Sequence, residues 1–85
     1  MRVEWKATPL DRLADLYVVT DPALREAIEQ AVLHINATLA VDPIQGESRL
    51  RATHRAWFVP PISVLYEVLP SDGRVVVQHV AMRRK

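Results

Sequence analysis

Cysteine is absent from this 85-residue chain, and glycine occurs only at positions 46 and 73. The first absence excludes disulfide staples, thiol catalysis and thiolate metal sites. The second excludes a glycine-rich phosphate loop. No apolar run is longer than four residues, at 16–19 and 56–59, far short of the roughly 18 that a membrane span needs. The first six residues contain no apolar stretch of the signal-peptide kind. His34, His54 and His79 show no ligand-type spacing, and no segment has the form of a nucleophile elbow. The expectation is a small protein of a reducing cytoplasm, away from membranes, with no metal and no cofactor.

What is present is an ordinary globular balance, 49% hydrophobic and 25% charged. The length allows one domain over residues 1–85, burying roughly 60–65% of its unfolded surface in a single thin core. The formal net charge of +1 conceals an asymmetry: residues 1–43 carry four basic against seven acidic groups, and residues 44–85 seven basic against three acidic. The second half is a basic field of the kind that attracts phosphate or an acidic segment.

Two helix starts are legible. Thr8-Pro9 places a capping hydroxyl before a proline suited to the first helical position, with Asp11 three residues past the cap. Leu10, Leu13, Ala14 and Tyr17 then follow at helical spacing. Asp21-Pro22 repeats the signal, and Leu24, Ile28, Ala31, Val32, Ile35 and Leu39 hold the helical period over 22–40. After Asp42-Pro43 and Gly46 the period becomes two. The alternation of residues 49–59 predicts one strand, or two short ones interrupted near Thr53. Strands are predicted over 62–69 and 74–82, joined by a loop at 70–73, and a short strand over 2–6. The fold class is α+β, in the order β-α-α-β-β-β: an N-terminal strand and a helical hairpin packed on one face of an antiparallel sheet. The stripe of the second helix is expected to cover Val64, Tyr66 and Val68, with Val76, Val80 and Met82 beside them.

Arg49, Arg51 and Arg55 share one side if their pleat is continuous, and Trp57 shares the side of Arg55. By the same parity Val77, His79, Ala81 and Arg83 lie on one side of the last strand, and Gln78, Val80, Met82 and Arg84 on the other. Arginines beside an aromatic ring grip single-stranded RNA by phosphate contact and base stacking. The alternative is that Trp57 is packed and the arginines are solvated.

The segments Gly46-Glu47-Ser48-Arg49, Arg55-Ala56-Trp57-Phe58-Val59-Pro60-Pro61-Ile62-Ser63-Val64-Leu65-Tyr66-Glu67-Val68 and Arg74-Val75-Val76-Val77-Gln78-His79-Val80 resemble the RelE/ParE superfamily, the toxins of type II toxin–antitoxin pairs associated with plasmid stabilisation. The helical hairpin before them fits the same order, so the resemblance spans nearly the whole chain. It implies a toxin silenced by a cognate antitoxin docking on the open face and basic last strand. It implies either a metal-free endoribonuclease that cuts mRNA on the ribosome or an inhibitor of DNA gyrase. On the nuclease branch Arg55 and Arg83 match catalytic arginines. Ser63 stands where the family has another arginine, and no tyrosine follows Arg83. Arg49, Arg51, Trp57, His79 and Arg84 are then candidates for binding RNA or a protein partner. A non-toxic binding module of the same fold is the remaining alternative.

Overall fold

The computed structural model describes residues 1–49 and 53–83, with the backbone alone at Arg49. The elements are β1 (Arg2–Trp5), α1 (Ala7–Val19), α2 (Pro22–Val41), β2 (Glu47–Arg49), β3 (His54–Val59), β4 (Ile62–Leu69) and β5 (Arg74–Met82). The five strands form one sheet in the order β1-β5-β4-β3-β2. β2–β3, β3–β4 and β4–β5 pair antiparallel, whereas β1 lies parallel to β5. The expected α+β architecture is therefore present, with one parallel pair at its edge. The doubtful stretch near Thr53 resolves into two strands that fold back on each other.

α2 follows its sequence signal closely. Asp21 caps it, its side chain accepting from the Leu24 N–H at 2.8 Å, with Pro22 in the first turn. The stripe reaches the core as expected: Ile28, Ala31, Ile35 and Leu39 are buried, and Leu24 and Val32 pack against them. α1 departs from its signal. Its cap position is Lys6, which makes no side-chain capping bond, and Thr8 lies inside the first turn. Pro9 is tolerated there because first-turn N–H groups have no intrahelical acceptor. The buried stripe also differs from the expected one: Pro9, Leu13 and Leu16 are buried while Leu10 is 50% exposed. Arg25 closes the other end of α1, donating to the Tyr17 and Thr20 carbonyls at 3.0 and 3.1 Å.

β4 alternates strictly, with Ile62, Val64, Tyr66 and Val68 buried under the helices. β3 and β4 are joined through Pro60-Pro61, a cis peptide, with Val59 opposite Ile62. Pro70–Asp72 form a single helical turn, and Gly73 closes the loop at φ +64°.

In β5 the expected parity fails. Leu65 is opposite His79 and Tyr66 opposite Val77, so Gln78 has no partner and forms a β-bulge. Before it Val75 and Val77 join the core, and after it Val80 does so with Met82 packed alongside. Val76, expected beside Val80, therefore lies on the other face, and Val77 joins Val80 rather than His79.

Ile28 is completely buried at the centre of the α2 stripe. Ile28→Ala should cost about 2–5 kcal/mol, checked by urea unfolding monitored by circular dichroism.

Candidate functional site

The helices cover one face of the sheet, and the other is open. Register fixes what stands there. Glu47, Ala56, Leu65 and His79 lie side by side across β2, β3, β4 and β5. Phe58, Ser63 and Ala81 make the next row, and His54 and Glu67 belong to the row on the other side. Small side chains at Ala56, Ser63 and Ala81 leave the face hollow. A depression of about 310 Å³ is lined by Gly46, Glu47, Ala56, Trp57, Phe58, Ser63 and Arg83. A neighbouring one of about 170 Å³ shares Ala56 and Ser63 and reaches His79.

Arg83 stands at the rim. Its backbone N–H donates to the Pro61 carbonyl at 2.9 Å, and its guanidinium carbon lies 5.3 Å from the centre of the Phe58 ring. Ring and cation attract, which holds the charge above the hollow. Across the face, Gln78 donates to Glu67 at 3.0 Å, and the His54 imidazole lies 3.9 Å from the same carboxylate. The bulge makes this possible, because it turns both Gln78 and His79 toward the open side. Glu4 receives Arg2 and Arg74 at the far edge. Among the described residues the open face thus carries Glu4, Glu47 and Glu67 against Arg2, Arg74 and Arg83. Over these residues the charges balance, the side chains of Arg49, Arg51, Arg84 and Lys85 lying outside the described ones.

Arg55 and Trp57 share a face, as expected, but it is the covered one. Arg55 is half-buried and donates to the Gln45 carbonyl at 2.7 Å and the Gly46 carbonyl at 3.0 Å. Next to it the Tyr66 hydroxyl, in a fully buried side chain, accepts from the Gln45 N–H at 3.0 Å and donates to the Pro43 carbonyl at 2.7 Å. Trp57 packs against the core with its ring 5.7 Å from His34 of α2. The structure therefore places Arg55 and Arg83 on opposite faces of the sheet. Of the described binding candidates, His79 stands on the open face and lines the neighbouring depression, while Trp57 borders the hollow at Arg83 although its ring packs against the core. The break after β2 removes the continuous pleat that aligned Arg49 with Arg55: the Arg49 backbone pairs with His54, and Ser48 with Arg55. Arg51 and Arg84 lie outside the described residues. The sequence reading missed Phe58, Gln78 and Glu67. The small residues Ser63 and Ala81, opposite each other, with Ala56 in the adjoining row, were the signal for a hollow.

Among the described residues no group of three or more histidine and carboxylate side chains converges as a metal site, and no helix is long and apolar enough to cross a membrane.

No protein-family model matches the sequence, and no curated protein matches it. Solved structures do match its fold. A chain of the RelBE2 toxin–antitoxin complex from Mycobacterium tuberculosis superposes with a TM-score of 0.71 at 18% identity, covering 99% of this chain and 92% of that one. A chain of the chromosomal ParDE system of P. aeruginosa gives 0.68 at 16% identity, covering 99% and 97%. The isolated RelE toxin of E. coli gives 0.66 at 13% identity, covering 99% and 85%. At these identities the likeness is one of fold, and the fold is that of the RelE/ParE toxins.

Gly46 adopts φ +64°, and a Cβ there would run into the Ala56 carbonyl oxygen. Gly46→Ala should therefore loosen β2 from β3 and lower stability by more than about 1 kcal/mol, since neither the backbone angle nor the space suits alanine. Thermal unfolding checks this. Burial pushes the Tyr66 phenol above its usual range, and the Gln45 bond and Arg55 charge only partly oppose it. A phenol whose pKa is raised by folding favours the native state while protonated, so stability should hold up to about pH 10 and fall as pH rises through the native value. Tyr66→Phe should cost about 1–3 kcal/mol at neutral pH and remove part of that alkaline decline. Tyr17, which is also raised, keeps the rest. Urea titrations at pH 7 to 11 would measure both.

Proposed function

We propose that this chain is the toxin of a type II toxin–antitoxin pair, silenced by a cognate antitoxin and acting through the open face at Arg83. The observation that carries this reading is two-way coverage: the fold aligns over 99% of this chain and at least 85% of each toxin-system chain described above, including a toxin solved by itself. An antitoxin would cover Arg83 and the hollow beside it; E. coli RelE, a related fold at TM-score 0.52, forms a complex with an antitoxin peptide. The association rate of an acidic antitoxin segment should fall as salt rises.

The target divides into two cytoplasmic classes. Cleavage of ribosome-bound mRNA needs fixed cations around the scissile phosphate, and each such group is worth about 10²–10³ in rate. On the open face the described arginine at the hollow is Arg83, Ser63 supplies no charge, and Arg55 is turned to the covered side. Glu67 stands on the same face and opposes a phosphate chain. These features favour a toxin that binds its target, DNA gyrase in the family's second branch, over an efficient ribonuclease. His79, which faces the hollow, is the imidazole available for proton transfer should RNA be the substrate.

Induced expression should arrest growth, and co-expression of a small antitoxin reading frame from the neighbouring gene should relieve it. Arg83→Ala should weaken the arrest at least about tenfold while changing stability by less than about 0.5 kcal/mol, because its side chain is exposed. Precursor labelling should show DNA synthesis failing before translation. Prompt cutting of ribosome-bound mRNA by the unmodified chain would assign it instead to the nuclease branch, and Ser63→Arg would then be expected to raise the rate further.

A further inference from the structure

Val18 and Val19, at the end of α1, are 81% and 78% exposed. β-branched apolar side chains held this far into water at a tight interhelical turn form a patch rather than scattered exposure. Beside them a groove of about 380 Å³ runs between two walls. The helical wall carries Val19, Asp21 and Leu24, and the sheet wall carries Pro61, Met82 and Arg83. Leu24 and Met82 are only partly buried by their own core.

The walls are oppositely charged, and among the described residues neither charge is paired. Asp21 accepts a backbone N–H from Leu24, and Arg83 lies over the Phe58 ring. Arg25, the cation nearest to Asp21 in sequence, is committed to the Tyr17 and Thr20 carbonyls.

We propose that this groove is a self-association surface whose occupant is a second copy of the chain. A two-fold axis running along the groove sets the helical wall of each copy against the sheet wall of the other. Asp21 then meets Arg83 of the second copy, twice, while Val18 and Val19 close over Pro61 and Met82. An isologous contact needs a patch complementary to itself. Opposite charges on opposite walls of one apolar groove are that kind of patch. A formal net charge of +1 leaves little repulsion between copies. The proposal does not depend on the toxin reading, and its test involves no toxicity.

Sedimentation equilibrium of the full chain between about 1 µM and 1 mM should show the average mass rising from monomer to dimer, less steeply at high salt. Val18→Asp should weaken the dimer at least about tenfold without altering the circular dichroism spectrum, since Val18 touches little of its own chain. Arg83→Glu and Asp21→Arg should each weaken it similarly, and an equimolar mixture of the two should recover association, because the mixed dimer keeps one native Asp21–Arg83 pair and forms the other with its two charges exchanged. Asp21→Asn keeps the helix cap but removes the charge, so it carries the same test if Asp21→Arg unfolds α2. A chain monomeric throughout, a dimer indifferent to Val18→Asp, a mixture no tighter than its components, or assembly only with a different protein would overturn the proposal.

Discussion

One unpaired residue, Gln78, decides which side chains of the last strand meet the core and which meet solvent. A strand without the bulge that buries Val75 and Val77 must also turn His79, Ala81 and Arg83 inward and expose Val80 and Met82. Burying an imidazole and a guanidinium without partners costs several kcal/mol. The extra residue flips the parity once, so both halves of β5 bury valine. The same flip delivers His79 and Arg83 to the open face, and it turns Gln78 to hold Glu67 at 3.0 Å. Packing requirement and site geometry are here one constraint.

The second determinant is the clasp around residues 43–46. Tyr66, buried in the middle strand, and Arg55, on the neighbouring one, converge on the carbonyl and N–H groups of this loop. A loop pressed against a sheet must find partners for its backbone polar groups, and these two side chains supply them. The loop in turn delivers Gly46 and Glu47 to the wall of the open hollow. Arg55 therefore contributes to the site from behind, as the fastening of its wall.

The charge pattern of the face bears on what can bind there. Among the described residues Glu4, Glu47 and Glu67 interleave with Arg2, Arg74 and Arg83, so over this part of the open sheet the charges alternate in sign. Arg83 is set apart, lifted over Phe58 and bordering both the hollow and the apolar groove near α1. A partner on either side of the sheet end meets the same cation, which makes this residue the point where the molecule's two candidate surfaces touch.

The elements with strong local rules were legible in the sequence alone: α2, with its Asp-Pro start and unbroken apolar period, the strictly alternating β4, and the Pro-Ser-Asp-Gly loop. From them followed the α+β class and the resemblance to RelE/ParE toxins. The start of α1 was misplaced because Thr8-Pro9 satisfies the capping rule two residues later, whereas the helix begins at Ala7 behind Lys6, which makes no side-chain capping bond. The faces of Arg55, Arg83 and Val76 were not legible. Parity carries a side chain's direction along a strand only while each residue has a partner, and whether one is skipped depends on the neighbouring strand. The sequence by itself determined which elements form and which residues are able to make a core. The tertiary structure alone decided that Arg55 fastens a loop while Arg83 faces the hollow, because a bulge and a strand break, both products of pairing between distant segments, set the face on which each one stands.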